Sequence, residues 1–305
     1  MEKNLNTLNL SVPEGHADVV LDTDTYNEID DQFALSYLLR SGKLQVKAIL
    51  AAPFYNSNSI NPEDGMLRSY DEILKVLDLA DRSDLAPLVY KGSCGYLKDE
   101  TTPQPSPAAD ALVKLAKEYS PQHPLYVAAI AAITNVASAL LIDPSIAPNL
   151  VVVWLGGHSR EYCDTKEFNM IQDIAAARVV MESRAAFVQL PCMGVVSGFA
   201  TTKPELDCWL SGRTKLADYL AQNTIKAAES YAKGKPWSRA IWDVTAVGWL
   251  LNDGERFMKS RIVPVRLPSY DGFYEEKELE KVQQYVYYIN RDALFEDLFR
   301  KLTRE

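Results

Sequence analysis

Asp18-Val19-Val20-Leu21-Asp22-Thr23-Asp24-Thr25-Tyr26-Asn27-Glu28-Ile29-Asp30-Asp31 runs from an apolar segment into an acidic one, and Gln32-Phe33-Ala34-Leu35-Ser36-Tyr37-Leu38-Leu39 follows it. Val19, Val20 and Leu21 form a short apolar run of the buried-strand type, whereas Phe33, Leu35, Leu38 and Leu39 recur at helical spacing. The stretch reads as strand, loop, helix. In open α/β sheets such a loop lies outside the carboxyl end of a strand, where ligands bind.

Five carboxylates crowd the loop from Asp22 to Asp31: Asp22, Asp24, Glu28, Asp30 and Asp31. Helix capping explains Asp30, and Asp31 suits the positive end of the helix dipole. Capping accounts for one carboxylate, not five. Neighbouring carboxylates disfavour each other's ionisation, and a hard divalent ion such as Ca²⁺ or Mg²⁺ relieves that repulsion by taking their oxygens as ligands.

The whole sequence, 305 residues with 47% apolar content, has ample material for a core. A net charge of -9 disfavours nucleic acid or an anionic membrane as the main partner and suits small neutral or cationic ligands. Cys94, Cys163, Cys192 and Cys208 show neither metal-type pairing nor a disulfide framework, so they read as small apolar residues of a reduced, cytoplasmic protein. No secretory leader pattern stands at Met1–Asn6, and no apolar run is long enough to span a bilayer.

Further strands are expected at Val46–Phe54, Pro87–Tyr90, Pro124–Ile130, Val151–Leu155 and Ala186–Leu190. Helices are expected at Met66–Leu79, Ala108–Tyr119, Thr134–Leu141, Ile174–Met181 and Val244–Leu251, and the run Leu206–Ala232 is helix-rich. Gly92–Pro107 reads as a surface loop or a lid. Two β-prone segments, Arg261–Leu267 and Gln284–Ile289, precede an amphipathic C-terminal helix. Strands alternating with helices predict one open, mainly parallel α/β sheet with helices on both faces. No linker interrupts it, so residues 1–305 read as a single domain with a loose lead-in over residues 1–17.

Asp22-Thr23-Asp24 with Asp30-Asp31, Asn56, Thr134-Asn135, Glu167-Phe168-Asn169 and Trp242-Asp243 stand at strand or helix ends in one order. The pattern resembles the inosine-uridine nucleoside hydrolase family over about residues 18 to 252. The resemblance implies an N-glycosyl hydrolase that frees ribose and base in nucleoside salvage through attack of a Ca²⁺-bound water. It implies that Asp24, Asp31, Asp243 and the Thr134 carbonyl hold one Ca²⁺ per subunit and that Asp24 activates the water. Asp30, Asn56, Glu167 and Asn169 match positions that bind ribose hydroxyls, and Asp22 is supporting. Assembly as a homodimer or homotetramer follows from the same resemblance.

Three departures mark this chain. Thr25–Ile29 makes the acidic loop two residues longer than the family's and lacks its Pro-Gly turn, while Asn27 and Glu28 offer additional oxygens. Trp242 stands where many members have a proton-donating His; an indole stacks on a base but is no strong acid. Glu161 stands where the family often has an Asn. His158, after the strand at Val151, is expected at the pocket rim, whereas His16 and His123 read as surface residues and Trp154 as core.

The residues also admit two rival readings. Val19–Thr25 also looks like the opening of a haloacid-dehalogenase-like phosphohydrolase, with Asp22 as nucleophile, although Asp30-Asp31 comes too soon for that family's second acidic pair. The other rival is a nucleoside- or sugar-binding protein that has lost leaving-group chemistry at Trp242.

Overall fold

The computed structural model describes residues 9–303. Of the expected lead-in, the first eight residues lie outside the described part, and Leu10 and Pro13 in the remainder are buried.

The alternation of strand and helix patterns produces β1 (Ala17–Thr23), α1 (Asp30–Leu39), β2 (Leu44–Ala51), α2 (Pro62–Leu79), β3 (Val89–Lys91), α3 (Pro107–Ala116), β4 (Leu125–Ala129), α4 (Thr134–Ile142) and β5 (Leu150–Leu155). Next come α5 (Phe168–Gln172), α6 (Ile174–Glu182), β6 (Ala186–Leu190), β7 (Ala200–Thr201), α7 (Lys203–Trp209) and α8 (Lys215–Ala232). The chain ends with β8 (Arg239–Ala240), α9 (Val244–Leu250), β9 (Met258–Pro268), β10 (Tyr274–Ile289) and α10 (Arg291–Leu302).

Eight strands form one sheet in the order β3-β2-β1-β4-β5-β6-β10-β9, parallel except for the β10–β9 pairing. Strands buried on both faces read as unbroken apolar runs, as in Leu150–Leu155. On β1, Val19 and Leu21 enter the core shared with α1, α9 and α10, while Val20 enters the opposite core with α3, α4 and α6. Fully burying one such side chain contributes about 1.5–3 kcal/mol. The sheet and its two helical layers match the expected class.

Strand order reverses at β1, which pairs with β2 on one side and β4 on the other. Helices returning on opposite sides of that point leave a crevice at the carboxyl ends of β1 and β4.

Some boundaries differ from expectation for local reasons. β2 stops at Ala51: Ala52 N makes the last bond of the ladder, to Thr23 O at 2.8 Å, and Pro53 has no N–H with which to continue it. The helix-rich run divides into α7 and α8 around Gly212, whose φ of 74° is left-handed. The C-terminal β-prone segments extend into a long hairpin, where the charges of Tyr-Glu-Glu-Lys-Glu-Leu-Glu-Lys in β10 hide the strand pattern. Of the four thiols only Cys192 is buried; Cys94, Cys163 and Cys208 are exposed, contrary to the reading of them as core residues.

The segment between β3 and α3 is tied down rather than free. Ser93 N and Oγ donate to Asn135 Oδ1 at 2.9 and 3.1 Å, and Leu97 N donates to Asp173 Oδ2 at 2.9 Å. Gly92 must be a glycine, since a Cβ there would lie 2.0 Å from Ala51 O.

Candidate active site

β1 delivers Asp22 and, one residue past its end, Asp24 to the crevice, and the first turn of α1 delivers Asp30 and Asp31. Asp22 Oδ1 accepts from Asn135 Nδ2 at 2.8 Å, and Asp31 Oδ1 accepts from Thr23 Oγ1 at 2.5 Å. The longer loop closes without a Pro-Gly turn. Asn27 N donates to Asp24 O at 2.6 Å, and Asn27 is gripped by Asn56 Nδ2 on its side-chain oxygen (2.6 Å) and by Asn58 Nδ2 on its carbonyl (2.8 Å). Glu28 pairs with Arg239 of β8 at 2.6 Å, fastening the loop to the segment that carries Trp242.

Asp243 occupies the cap position of α9 with helical dihedrals, and its side chain makes no capping hydrogen bond. It meets Asp31 instead. Oxygens of Asp30, Asp31 and Asp243 lie within 4.8 Å of one another, and Asp24 joins them through Asp31. Asp30, expected among the sugar-binding groups, thus stands inside the carboxylate cluster.

Thr134 is buried at the start of α4, its hydroxyl donating to Asp173 Oδ2 at 2.6 Å. Glu167 caps α5: its carboxylate accepts from Asn169 N, Met170 N and Gly157 N at 2.8, 3.0 and 2.9 Å. Asn169 Nδ2 donates to Leu155 O at 3.1 Å.

Asp24, Asn27, Glu28, Asp30, Asn56, Ile130, Glu167, Phe168, Asn169, Trp242 and Asp243 line a cavity of about 130 Å³. Asp22, Asp31 and Thr134 lie behind that wall, buried. His158 does not line it, contrary to its expected place at the rim. Its Nδ1 accepts from Met193 N at 3.3 Å, and its ring meets Tyr162 edge-on. Glu161 is exposed, 3.9 Å from Arg261. A larger, more open groove of about 750 Å³ lies at the opposite end of the strands, around His16, Asp18 and Tyr119, away from the clustered carboxylates.

Burial, ahead of any neighbour's charge, pushes these carboxyls up. Asp22 rises to about 7 and Asp31 to about 6. Asp24 and Asp243 rise well above the carboxylate range, with the adjacent acids adding to the effect. Asp30 does likewise, burdened by Glu28 and Asp31 and relieved in part by Arg239. Both oxygens of Asp24 and one each of Asp22 and Asp30 are buried without a hydrogen-bond partner. Buried, unpartnered acceptors are costly, so the cluster must take protons or a cation. An all-oxygen donor set fits a hard ion of the Ca²⁺ or Mg²⁺ type.

The sequence pattern of the family described as inosine-uridine preferring nucleoside hydrolase matches residues 19–284. The chain belongs to this family of nucleoside hydrolases. Among solved structures, a plant nucleoside hydrolase is 16% identical with a TM-score of 0.73, covering 95% of this chain and 99% of that one. An inosine-guanosine nucleoside hydrolase is 17% identical with a TM-score of 0.75, covering 94% and 98%. A purine-preferring ribonucleoside hydrolase from Gardnerella vaginalis is 20% identical with a TM-score of 0.73, covering 94% and 98%. At these identities the likeness is one of fold. No curated protein matches the sequence.

This nucleoside hydrolase family member also uses Asn135, for which the sequence pattern gave no role, and Asp173, which it did not single out. Asn135 bonds Asp22, Ala51 O and Ser93, joining the ends of β1 and β2 to the segment after β3. Asp173 accepts from Thr134, Leu97 N and Ala176 N. The Asp before Ile174 is legible as a helix cap, but its bond to Thr134 spans 39 residues. Asn135→Ala strands several buried partners at once, and we expect a loss of about 2–4 kcal/mol of stability in urea unfolding. An unchanged midpoint would remove Asn135 as the brace of the site.

Proposed function

We propose that this chain hydrolyses the N-glycosidic bond of a ribonucleoside, releasing ribose and free base, with Ca²⁺ held by Asp24, Asp31, Asp243 and the Thr134 carbonyl. The observation that carries the reading is the convergence of unpartnered carboxylate oxygens on a cavity whose other walls supply Asn56, Glu167 and Asn169. When bound, the dication supplies charge that acidifies a water molecule and orients it with the sugar hydroxyls.

The chain's own groups do the rest. Breaking a ribosyl C–N bond develops positive charge on the sugar, which the surrounding carboxylates stabilise. Asp24 takes the proton of the attacking water. Asp30, Asn56, Glu167 and Asn169 hold the sugar hydroxyls; the amides both donate and accept, as a diol requires. Glu167 retains lone pairs beyond its three backbone bonds. Trp242, half-buried at the cavity wall, stacks on the base.

The same reading takes residues 1–305 as one domain of a cytoplasmic homodimer or homotetramer, with free thiols that suit a reducing compartment. Among the described residues no helix is long and apolar enough to cross a membrane. A phosphohydrolase with Asp22 as nucleophile loses its support, since Asp22 is buried behind the cavity and hydrogen-bonded to Asn135. Chromatography of a purine and pyrimidine nucleoside panel for free base, with calcium analysis of the purified protein, tests the proposal. Equilibrium binding of nucleosides without release of base would instead make the chain a binding protein.

A further inference from the structure

At about 130 Å³ the cavity is well below the roughly 300–1,000 Å³ of a typical site for a drug-sized ligand, so it takes the ribose and leaves the base at the mouth. With Asp30, Asn56, Glu167 and Asn169 given to the sugar, the walls left for the base include Glu28 and two half-buried aromatic side chains, Phe168 and Trp242. Arg239, which does not line the cavity, holds Glu28 Oε2 at 2.6 Å from outside. Five of the lining residues are acidic, and among the described residues no Lys, Arg or His lines the cavity.

That composition constrains the leaving group. A neutral base that departs with the bonding pair is an anion unless a proton reaches it as the bond breaks. The indole N–H of Trp242 is a hydrogen-bond donor and not an acid, and Phe168 has no proton to give. The buried carboxyls are engaged, Asp24 and Asp243 with the cation and Asp30 and Glu167 with the sugar. An anion forming at the mouth would also face Glu28. A base already positive at its glycosidic nitrogen meets neither obstacle, because the bonding pair cancels that charge and the base leaves neutral. The same ring suits the walls: a cation is drawn to the faces of Trp and Phe and to a nearby carboxylate. The chain's net charge of -9 favours its approach.

We propose that the substrate is a riboside whose base is a cationic heterocycle with a quaternary glycosidic nitrogen, of the pyridinium type, recognised by Glu28, Phe168 and Trp242. The proposal rests on the hydrolase reading above and narrows its substrate. In the step, the water oxygen bonds to C1′ as the C1′–N bond breaks, and the electron pair goes to the ring nitrogen. One water proton passes to Asp24 and from there to solvent. The cationic riboside and water thus become ribose, neutral base and one proton.

The test uses the full-length, Ca²⁺-loaded chain with nicotinamide riboside as the cation, inosine as the neutral nucleoside and p-nitrophenyl β-D-riboside as a neutral riboside with an easy leaving group. kcat/KM for nicotinamide riboside should exceed that for inosine about 100-fold or more, and that for the p-nitrophenyl compound about tenfold. Calorimetry in saturating ribose, with no turnover, should show the cation N-methylnicotinamide binding about tenfold tighter than neutral nicotinamide. Glu28→Gln should cut the preference for nicotinamide riboside over inosine about tenfold. A loosened loop would slow both substrates alike and leave that ratio where it was. Trp242→Leu carries the same ratio if the Gln variant does not fold.

Inosine cleaved as well as nicotinamide riboside would overturn the proposal, since a proton donor must then serve the neutral base. Equal rates on nicotinamide riboside and the p-nitrophenyl compound, equal affinities for the two nicotinamides, or a ratio unmoved in both variants would overturn it too, leaving ease of departure as the only selection. Inactivity on every riboside is a separate result, which overturns the hydrolase reading itself.

Discussion

Asp24→Asn is expected to lower kcat/KM about a thousandfold or more on any nucleoside the wild-type chain cleaves. The amide keeps the shape of the carboxylate but cannot take a proton from water or offer a charged oxygen to a cation. Asp24 is also the residue whose two oxygens are both buried without a hydrogen-bond donor. Asp243→Ala should do comparable damage by removing a second oxygen donor from the cluster. Steady-state assays on the nucleoside panel measure both, and full turnover by either variant contradicts the assignment. Without a cation, and at a pH high enough to ionise the cluster, Asp24→Asn should also melt higher than the wild type, since it removes one buried charge from a crowded group. Such opposition between stability and activity is typical of sites that hold like charges together.

Removing divalent ions should lower the melting temperature, and by more at pH 8 than at pH 5. The direction follows from the raised carboxyls. In the unfolded chain these groups titrate near the ordinary value of about 4. In the folded chain Asp31 titrates at about 6 and Asp22 at about 7, with Asp24, Asp30 and Asp243 also raised. A raised carboxyl is neutral in both states below pH 4 and costs nothing there. As pH climbs from 4 through 6 and 7, the folded cluster must ionise in a buried place, and the metal-free protein loses stability.

A bound dication offsets that cost, and at about 100 times its dissociation constant it stabilises the fold by about 2.7 kcal/mol. Comparing melting curves in EGTA and in excess Ca²⁺ at each pH cancels the remaining titrating groups. A gap that vanishes at pH 8, or one equally wide at pH 5, would exclude a cation from this cluster.

Much of this was open to inspection in the residues alone. Continuous apolar runs and period-3.6 spacing depend on local geometry, so the central strands and the helices α1 to α4 and α6 were legible to within a few residues, whereas the short α5 was not. The acidic stretch from Asp22 to Asp31 was legible for a similar reason. Five carboxylates in ten residues are an electrostatic anomaly whatever the fold, and they stand at a strand-to-helix junction that a parallel sheet turns into a binding crevice.

What the local pattern could not reach was decided by contacts between distant segments. The inward turn of Asp243 instead of a cap, and the displacement of His158 from the rim, follow from how whole elements pack. So do the Asn27–Asn56–Asn58 clasp that replaces a Pro-Gly turn and the Asn135 brace. A side chain's neighbours across the sheet are set by register and helix placement, and these are free energies of the assembled core. Spacing along the chain names the groups that can do chemistry; only the packed sheet determines which of them meet in one cavity.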